Sequence, residues 1–338
     1  MDTTRVKEMD VLRAFSVLGV LLIHISAGML NEKPLLYGMV VNQWSRFAVP
    51  AFLFLSGLGL TLSKRPYQGY IHFIWYRLSK ILPLYLLWTI AYLLIPVLFN
   101  AASISPGQIV IASLTGTGYY HLYFIPLIIQ LYLIYPFISK YLRQTKGLVI
   151  CFAMTLAVQL TNNYLSSPDW MHLSDARNVL NWLFYFALGV WVADRKFKPK
   201  ISKGGVITSL TLIISSIIIV VESYANLAQG KTLGASVSGM RPSIILYSLT
   251  FGLWVWSKNW ATNIFRGLFD LLSNLSYEIY LVHALVLSVY NYVFRGLGYN
   301  LDTLLYAVSS FAIVLSLSIA VVLVRRYIFK ALISMVGF

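Results

Sequence analysis

Three ionisable residues stand close together in the first apolar stretch of the sequence: Asp10, Arg13 and His24. Arg13 and His24 are eleven residues apart. At about 100° per residue in a helix they return to nearly the same face, ~16 Å apart along the axis. Asp10 precedes Arg13 by three residues and is placed to pair with its guanidinium. This spacing predicts one helix face with a cation near its start and an imidazole deeper inside.

An imidazole in that position suits acyl transfer to a hydroxyl. Histidine can take the proton of an alcohol and return one to a leaving thiolate. A thioester on a phosphopantetheine arm carries phosphates at one end and its acyl group at the other, so Arg13 could hold the phosphates while His24 meets the acyl group. No activated serine or cysteine stands out, which favours direct attack by the hydroxyl and leaves an acyl-histidine intermediate open. The alternative for His24 is a hydrogen bond between helices.

The helix that carries these residues belongs to a strongly apolar chain. Of its 338 residues, 59% are hydrophobic and 11% are charged, which is too little polar surface for a soluble globule of this size. Apolar runs of about 20 residues predict an all-α polytopic membrane protein of about ten spans, in one domain over 1–338 with no separate soluble domain. The predicted spans are 9–30, 40–63, 78–99, 119–139, 147–164, 177–194, 204–222, 242–258, 268–293 and 303–325.

The basic residues predict the orientation of these spans. With the amino terminus inside, most of the 26 Lys and Arg residues fall on the cytoplasmic side, as the positive-inside rule requires. Both termini are therefore predicted to be cytoplasmic, and the first span is interpreted as retained because no A-x-A cleavage pattern follows it. The net charge of +15 needs no nucleic acid to explain it. The basic run 195–203 is interpreted as an anchor on anionic lipid, with CoA binding as the alternative.

Four further stretches complete a pattern with the three residues of the first span. They read FAVPAFLFLSGLGL at 47–60, YRLSKILPLY at 76–85, YHLYFIP at 120–126 and LSYEIYLVH at 275–283. In this order the set resembles the acyltransferase-3 family of membrane acyltransferases, over nearly the whole chain and with the family's usual ten spans. The resemblance implies transfer of an acyl group, commonly acetyl, from cytoplasmic acyl-CoA to a hydroxyl of a cell-surface or exported glycan. It also implies that the histidine of the first span is essential.

The third predicted span departs from the family at one position. Many members carry two arginines three residues apart at its inner start, where this chain has Arg77 and Lys80. The resemblance assigns CoA phosphates to these two residues, although lysine does not reproduce the bidentate grip of arginine on phosphate. Anchoring at the inner interface is the alternative for both.

Several polar residues near the outer ends of spans are candidates for contact with the acceptor. Arg46, near the outer end of the second span, could bind the acceptor or an internal carboxylate, or it could extend to the interface. Tyr120, His121 and Tyr123 enter the fourth span from outside. They are interpreted either as part of an interfacial aromatic belt or as a sugar-binding surface.

The ninth predicted span holds two more candidates, Glu278 and His283. They are five residues apart and point to different faces, so a local dyad is not expected. Glu278 needs a proton or a partner from another helix, and an arginine is the expected partner. His283 could contact substrate or form a structural hydrogen bond.

The remaining polar features have less specific interpretations. Ser56 and Gly57 predict close packing of helices, and the single cysteine, Cys151, cannot form an intramolecular disulfide. The loops 165–176 and 223–241 are the other outward surfaces open to an acceptor; their polar residues are Asp169, Trp170, His172, Asp175 and Arg241.

Taken together, the sequence predicts an O-acyltransferase of the bacterial plasma membrane. Acyl-CoA, in the form of acetyl-CoA, is the expected co-substrate, and a glycan or lipid-linked glycan is the expected acceptor. No tightly bound cofactor is expected, because no metal-ligand cluster, P-loop or dinucleotide motif stands out. The main alternative is an exporter or flippase of a glycan or its lipid carrier, against which the lack of inverted repeats argues. A membrane-anchoring or sensing half of a larger system is a third interpretation.

Overall fold

The computed structural model describes residues 7–63, 68–98, 104–165, 172–196, 205–260 and 264–336. Within these residues the chain is helical and has no β-strand. The helices are α1 (Lys7–Glu32), α2 (Leu36–Trp44), α3 (Ala48–Leu62), α4 (Tyr70–Leu98), α5 (Pro106–Thr115), α6 (Phe124–Leu142), α7 (Thr145–Tyr164), α8 (Leu183–Asp194), α9 (Val206–Ala228), α10 (Leu233–Ser236), α11 (Pro242–Ser257), α12 (Arg266–Gly296) and α13 (Leu304–Val336).

Eight segments of the described residues are helical, long and apolar enough to cross a membrane. They comprise α1, α2 with α3, α4, α6, α7, α9, α12 and α13, while α8 and α11 are shorter apolar helices. Each predicted span overlaps one of these ten segments. The all-α membrane class is thus confirmed, and the count of ten crossings and the orientation stay predictions.

Two features of the helices were not predicted and have local causes. The segment predicted as one span over 40–63 is interrupted between Trp44 and Ala48. Pro50 lies in the first turn of α3, where its missing N–H is tolerated; in an unbroken helix it would leave the carbonyl of Arg46 without its donor. An additional helix, α5, begins with a capping box between Ser105 and Gln108.

The chain divides into two compact units. One unit comprises Met1–Ala48, Lys203–Val237 and Thr250–Phe338. In it α1 runs parallel to α12, because Asp10 contacts Ser273 near the start of both helices and Glu32 pairs with Arg295 near their ends. This shared direction agrees with the odd positions of both helices in the predicted order of spans.

An aromatic cluster in the same unit fixes the first half of α1. The ring of Phe15 lies 5.3–5.8 Å from the rings of Phe251, Trp260 and Phe269. Three turns further along the helix, α2 packs antiparallel to α1, with the amide of Asn42 bonded to the hydroxyl of Ser26. α1 is therefore held by aromatic packing at Phe15 and by a polar contact at Ser26.

The second unit comprises Val49–Ser202 and Ser238–Leu249. In it α3 and α8 approach closely through glycines: a Cβ on Gly57 would lie 2.2 Å from the carbonyl oxygen of Phe186, and one on Gly189 would lie 2.0 Å from that of Phe54. Because no side chain fits in either place, the close packing predicted at Gly57 is confirmed. The prediction of one domain over 1–338 stays a prediction.

Candidate active site

The first turns of α1 carry the predicted Asp10 and Arg13 together. Asp10 is buried, and its carboxylate accepts a 2.8 Å hydrogen bond from the hydroxyl of Ser273 on α12. Arg13 Nη1 lies 3.4 Å from the same hydroxyl and 3.6 Å from the carboxylate. The Arg13 side chain is 38% exposed, so a guanidinium oriented from within the protein is accessible to an anion.

His24 lies on α1 against His283 of α12. The two rings are stacked, with centroids 5.3 Å apart and planes at 28°. His24 is partly exposed, whereas His283 is fully buried. His283 therefore covers one face of the His24 ring.

A hydrogen bond fixes the tautomer of His283. Its Nδ1 lies 2.8 Å from the carbonyl oxygen of Tyr280 and 3.2 Å from that of Ile279. Because a carbonyl oxygen only accepts, Nδ1 carries the proton, and in the neutral ring Nε2 is the acceptor. The structural hydrogen bond considered for His283 is thus present.

The pairing of the two histidines was missed by sequence reasoning, although a signal for it existed. His24 lies fifteen residues into a predicted span that starts at 9, and His283 lies fifteen residues into one that starts at 268. Two parallel spans place such residues at the same depth. The rotation of each helix, which decides whether they face each other, is set by packing.

Arg46 lies in the break between α2 and α3, close enough to His24 for an electrostatic interaction. Its Nε and Nη2 donate to the side-chain oxygen of Asn42 at 3.0 and 2.7 Å. Asn42 in turn donates to the hydroxyl of Ser26 and to the carbonyl oxygen of Ile23. Arg46 is therefore part of the polar contacts around α1. An arginine that only extended to the membrane interface would not need these contacts.

Glu278 has arginine partners from another helix, as predicted. Arg326 Nε donates to one carboxylate oxygen at 2.7 Å, and Arg325 pairs with the other oxygen. Arg326 also donates to the carbonyl oxygen of Asn274. Both oxygens of Glu278 are engaged within the protein, so its burial is explained without a substrate.

Arg77 and Lys80 differ in their surroundings. Arg77 lines a cavity of about 340 Å³, and its guanidinium carbon lies 5.7 and 5.6 Å from the ring centroids of Phe73 and Tyr76. Lys80 is exposed; its Nζ donates to the Tyr76 hydroxyl at 2.5 Å and lies 4.2 Å from the centroid of that ring. Only Arg77 of this pair lines the cavity.

The aromatic residues before α6 form a turn and not the start of a span. His121 is buried, with the rings of Tyr92, Tyr119 and Tyr120 roughly perpendicular to it at 5.3–5.8 Å. Tyr120 is 50% exposed and Tyr123 is partly buried. A ligand at this surface would therefore meet Tyr120 before His121.

The predicted outward loops are only partly described. Asp169 and Trp170 lie outside the described residues, as does 197–203 of the basic run. Asp175 accepts hydrogen bonds from Arg177, which lower the pKa of its carboxyl. Arg241 is fully buried and donates to the carbonyl oxygen of Ser238, so it is not part of an outward surface.

The apolar helices and the polar residues buried among them define a polytopic membrane protein with an internal polar site. A family model described as an acyltransferase domain matches residues 6–323. The chain belongs to the acyltransferase-3 family and is, in general terms, a membrane acyltransferase. No curated protein and no solved structure matches the chain.

Proposed function

We propose that this protein is an O-acyltransferase of the bacterial plasma membrane with His24 as its general base. It moves an acyl group, which we propose is acetyl, from cytoplasmic acyl-CoA to a hydroxyl group of the acceptor. The acceptor is a cell-surface glycan, an exported glycan or a lipid-linked glycan. The observation that carries the proposal is the half-buried His24 of α1, whose ring is stacked on a second histidine of fixed tautomer. Membership of the family supplies the reaction class, acyl transfer.

The reaction needs one proton carrier. His24 accepts the proton of the acceptor hydroxyl as its oxygen attacks the thioester carbonyl, and a tetrahedral intermediate forms. When the intermediate collapses, the carbon–sulfur bond breaks and the thiolate takes the proton back from His24. The products are the glycan ester and free CoA, so atoms and charges balance without a covalent acyl-enzyme.

The charged residues near His24 have separate proposed roles. Asp10 and Ser273 orient Arg13, whose exposed guanidinium binds a phosphate of the donor. Arg46, held by Asn42, stabilises the negative charge that develops on the carbonyl oxygen or binds the acceptor. These assignments use contacts within one unit of the protein.

The direct test is acyl transfer by purified protein in lipid vesicles, with labelled acetyl-CoA and a glycan fraction from the same cells. His24→Ala is expected to lower the rate by about 10²–10⁴-fold, the usual contribution of a general base. Lys146→Gln is the control, since Lys146 is exposed in the first turn of α7 and has no proposed role in the reaction.

The same comparison can be made in cells. Base-labile esters on envelope and secreted glycans should be lost in a deletion strain and in a strain carrying His24→Ala. Normal esters with a folded His24→Ala protein contradict the proposal. Movement of a glycan across the membrane without consumption of thioester would instead indicate an exporter.

A further inference from the structure

The cavity beside Arg77 has the composition of an anion-binding site. It lies where the end of α3, the start of α4 and the end of α6 meet, within one unit. Two arginines, Arg77 and Arg143, and the imidazole of His72 line it, and no carboxylate is among its described lining residues. The rest of the polar lining consists of hydroxyl and amide groups, including Ser63 and Ser139. Such a lining suits a hydrophilic polyanion better than an acyl chain.

Arg77 is held in place in this cavity but its hydrogen-bonding capacity is not used up. Its guanidinium is fixed over the rings of Phe73 and Tyr76. Its Nε is buried and has no hydrogen-bond partner among the described residues. A buried donor without a partner is costly, and a ligand oxygen in the cavity removes that cost.

The second cation of the cavity comes from a different helix than the sequence indicates. Lys80, three residues after Arg77, does not line the cavity and is bonded to the Tyr76 hydroxyl. Arg143, at the end of α6, does line it. Arg143 also pairs with Asp194 at 3.4 Å, in a contact whose side chains are 46% and 33% exposed. An exposed pair of this kind is weak, so Arg143 can exchange its partner for a phosphate at little cost.

We propose that Arg143 joins Arg77 in binding phosphate of the CoA moiety of the donor, in addition to the phosphate assigned to Arg13, and that Lys80 acts only by holding Tyr76. This proposal rests on the proposed function in that it takes acyl-CoA as the donor. Two guanidinium groups from different helices can each grip a phosphate in a bidentate manner, as a lysine cannot. An anionic lipid headgroup offers the same phosphate chemistry, but it needs only surface charges and not a cavity with hydroxyl donors.

The test is equilibrium binding of CoA to the purified full-length protein in detergent. Arg143→Gln is expected to raise the Kd about tenfold or more, the effect of losing a charge-assisted hydrogen bond. Lys140→Gln, an exposed cation in the last turn of the same helix and outside the cavity lining, is expected to leave the Kd unchanged. Lys80→Gln is expected to raise the Kd less than Arg143→Gln.

A further variant separates binding from the ion pair. Asp194→Asn removes the same salt bridge as Arg143→Gln but keeps the arginine, so CoA binding is expected to persist. Equal loss of CoA binding in Asp194→Asn and Arg143→Gln would overturn the proposal, because the ion pair would then be structural. Wild-type CoA affinity in a folded Arg143→Gln protein would overturn it as well.

Two more measurements identify the ligand and separate this proposal from the role of His24. Anionic phospholipid vesicles should not displace CoA; displacement that depends on Arg143 would assign the cavity to a lipid headgroup and overturn the proposal. In acyl transfer, Arg143→Gln is expected to raise the KM for acyl-CoA and leave kcat, whereas His24→Ala lowers kcat and retains CoA binding. If the Arg143→Gln result fails, the proposed role of His24 still stands. If the His24→Ala result fails, the role of Arg143 is still decided by CoA binding.

Discussion

His24 is unusual in that the ring stacked on it belongs to a second histidine. His283 is buried, its Nδ1–H is committed to the Tyr280 carbonyl, and its ring covers one face of His24. Such a contact restricts the orientations open to His24. We infer that His283 is a positioning residue, because its own proton is used to hold its ring in place.

A substitution series at His283 tests this role. His283→Ala removes the stacked ring and is expected to lower kcat by up to about 10²-fold, the scale of a misplaced catalytic group, with the KM for acyl-CoA unchanged. His283→Phe keeps a flat ring against His24 and should restore much of the rate. Both values come from steady-state kinetics of the purified variants. A Phe variant as impaired as the Ala variant would show that the ring nitrogen, and not the ring face, matters.

At the scale of helices, α1 and α12 bring the candidate site together. They run parallel, and their contacts follow one register: Asp10 with Ser273, and His24 with His283. α13 lies antiparallel to α12 and supplies the arginines that neutralise Glu278. Since Glu278 is one and a half turns before His283 on α12, this ion pair anchors the helix that packs against the His24 imidazole.

The contact between α3 and α8 gives a stability prediction. Gly57→Ala would bring a Cβ to 2.2 Å from a backbone oxygen that has no side-chain freedom, so the helices must separate, at a cost of about 1–3 kcal/mol. Gly59→Ala is the matched control, because nothing lies within 4 Å of its Cβ position. Thermal unfolding in detergent should show a lower Tm for Gly57→Ala only. An unchanged Tm for Gly57→Ala would contradict the tight α3–α8 contact.

At the scale of the whole molecule, the number of crossings depends on the two short helices, α8 and α11. If both cross, ten spans result, and the loop after α8 is cytoplasmic; if neither crosses, that loop is outside. The apolar character of both helices and the basic residues that follow α8 favour ten. The single native cysteine, Cys151, makes a labelling test practical.

Single cysteines in a Cys151→Ser background can decide between the two topologies. With ten spans, Arg195→Cys should react with an impermeant thiol reagent only from the cytoplasmic side, and Lys231→Cys only from outside. Lys33→Cys and Lys146→Cys serve as references, since they lie outside and inside in both topologies. The reverse pattern at the first two positions would support eight spans.

The sequence by itself determined the class of the protein and part of its site. Composition and run length predict helices that cross a membrane, because a chain so poor in charge cannot cover a soluble surface. Helical periodicity places Arg13 and His24 on one face, and the cost of burying a lone carboxylate predicts the arginine partners of Glu278. These features depend on local spacing or on the energy of single groups, which a sequence carries.

The tertiary structure alone decided which distant residues meet. The stacking of His24 on His283, the bonding of Arg46 to Asn42, and the place of Arg143 instead of Lys80 in the cavity depend on the rotation and offset of packed helices. Those quantities come from side chains that fit against each other over whole helices, such as the glycine contacts of α3 with α8. Periodicity within one helix does not contain them, because each helix can turn about its own axis until its neighbours fix it.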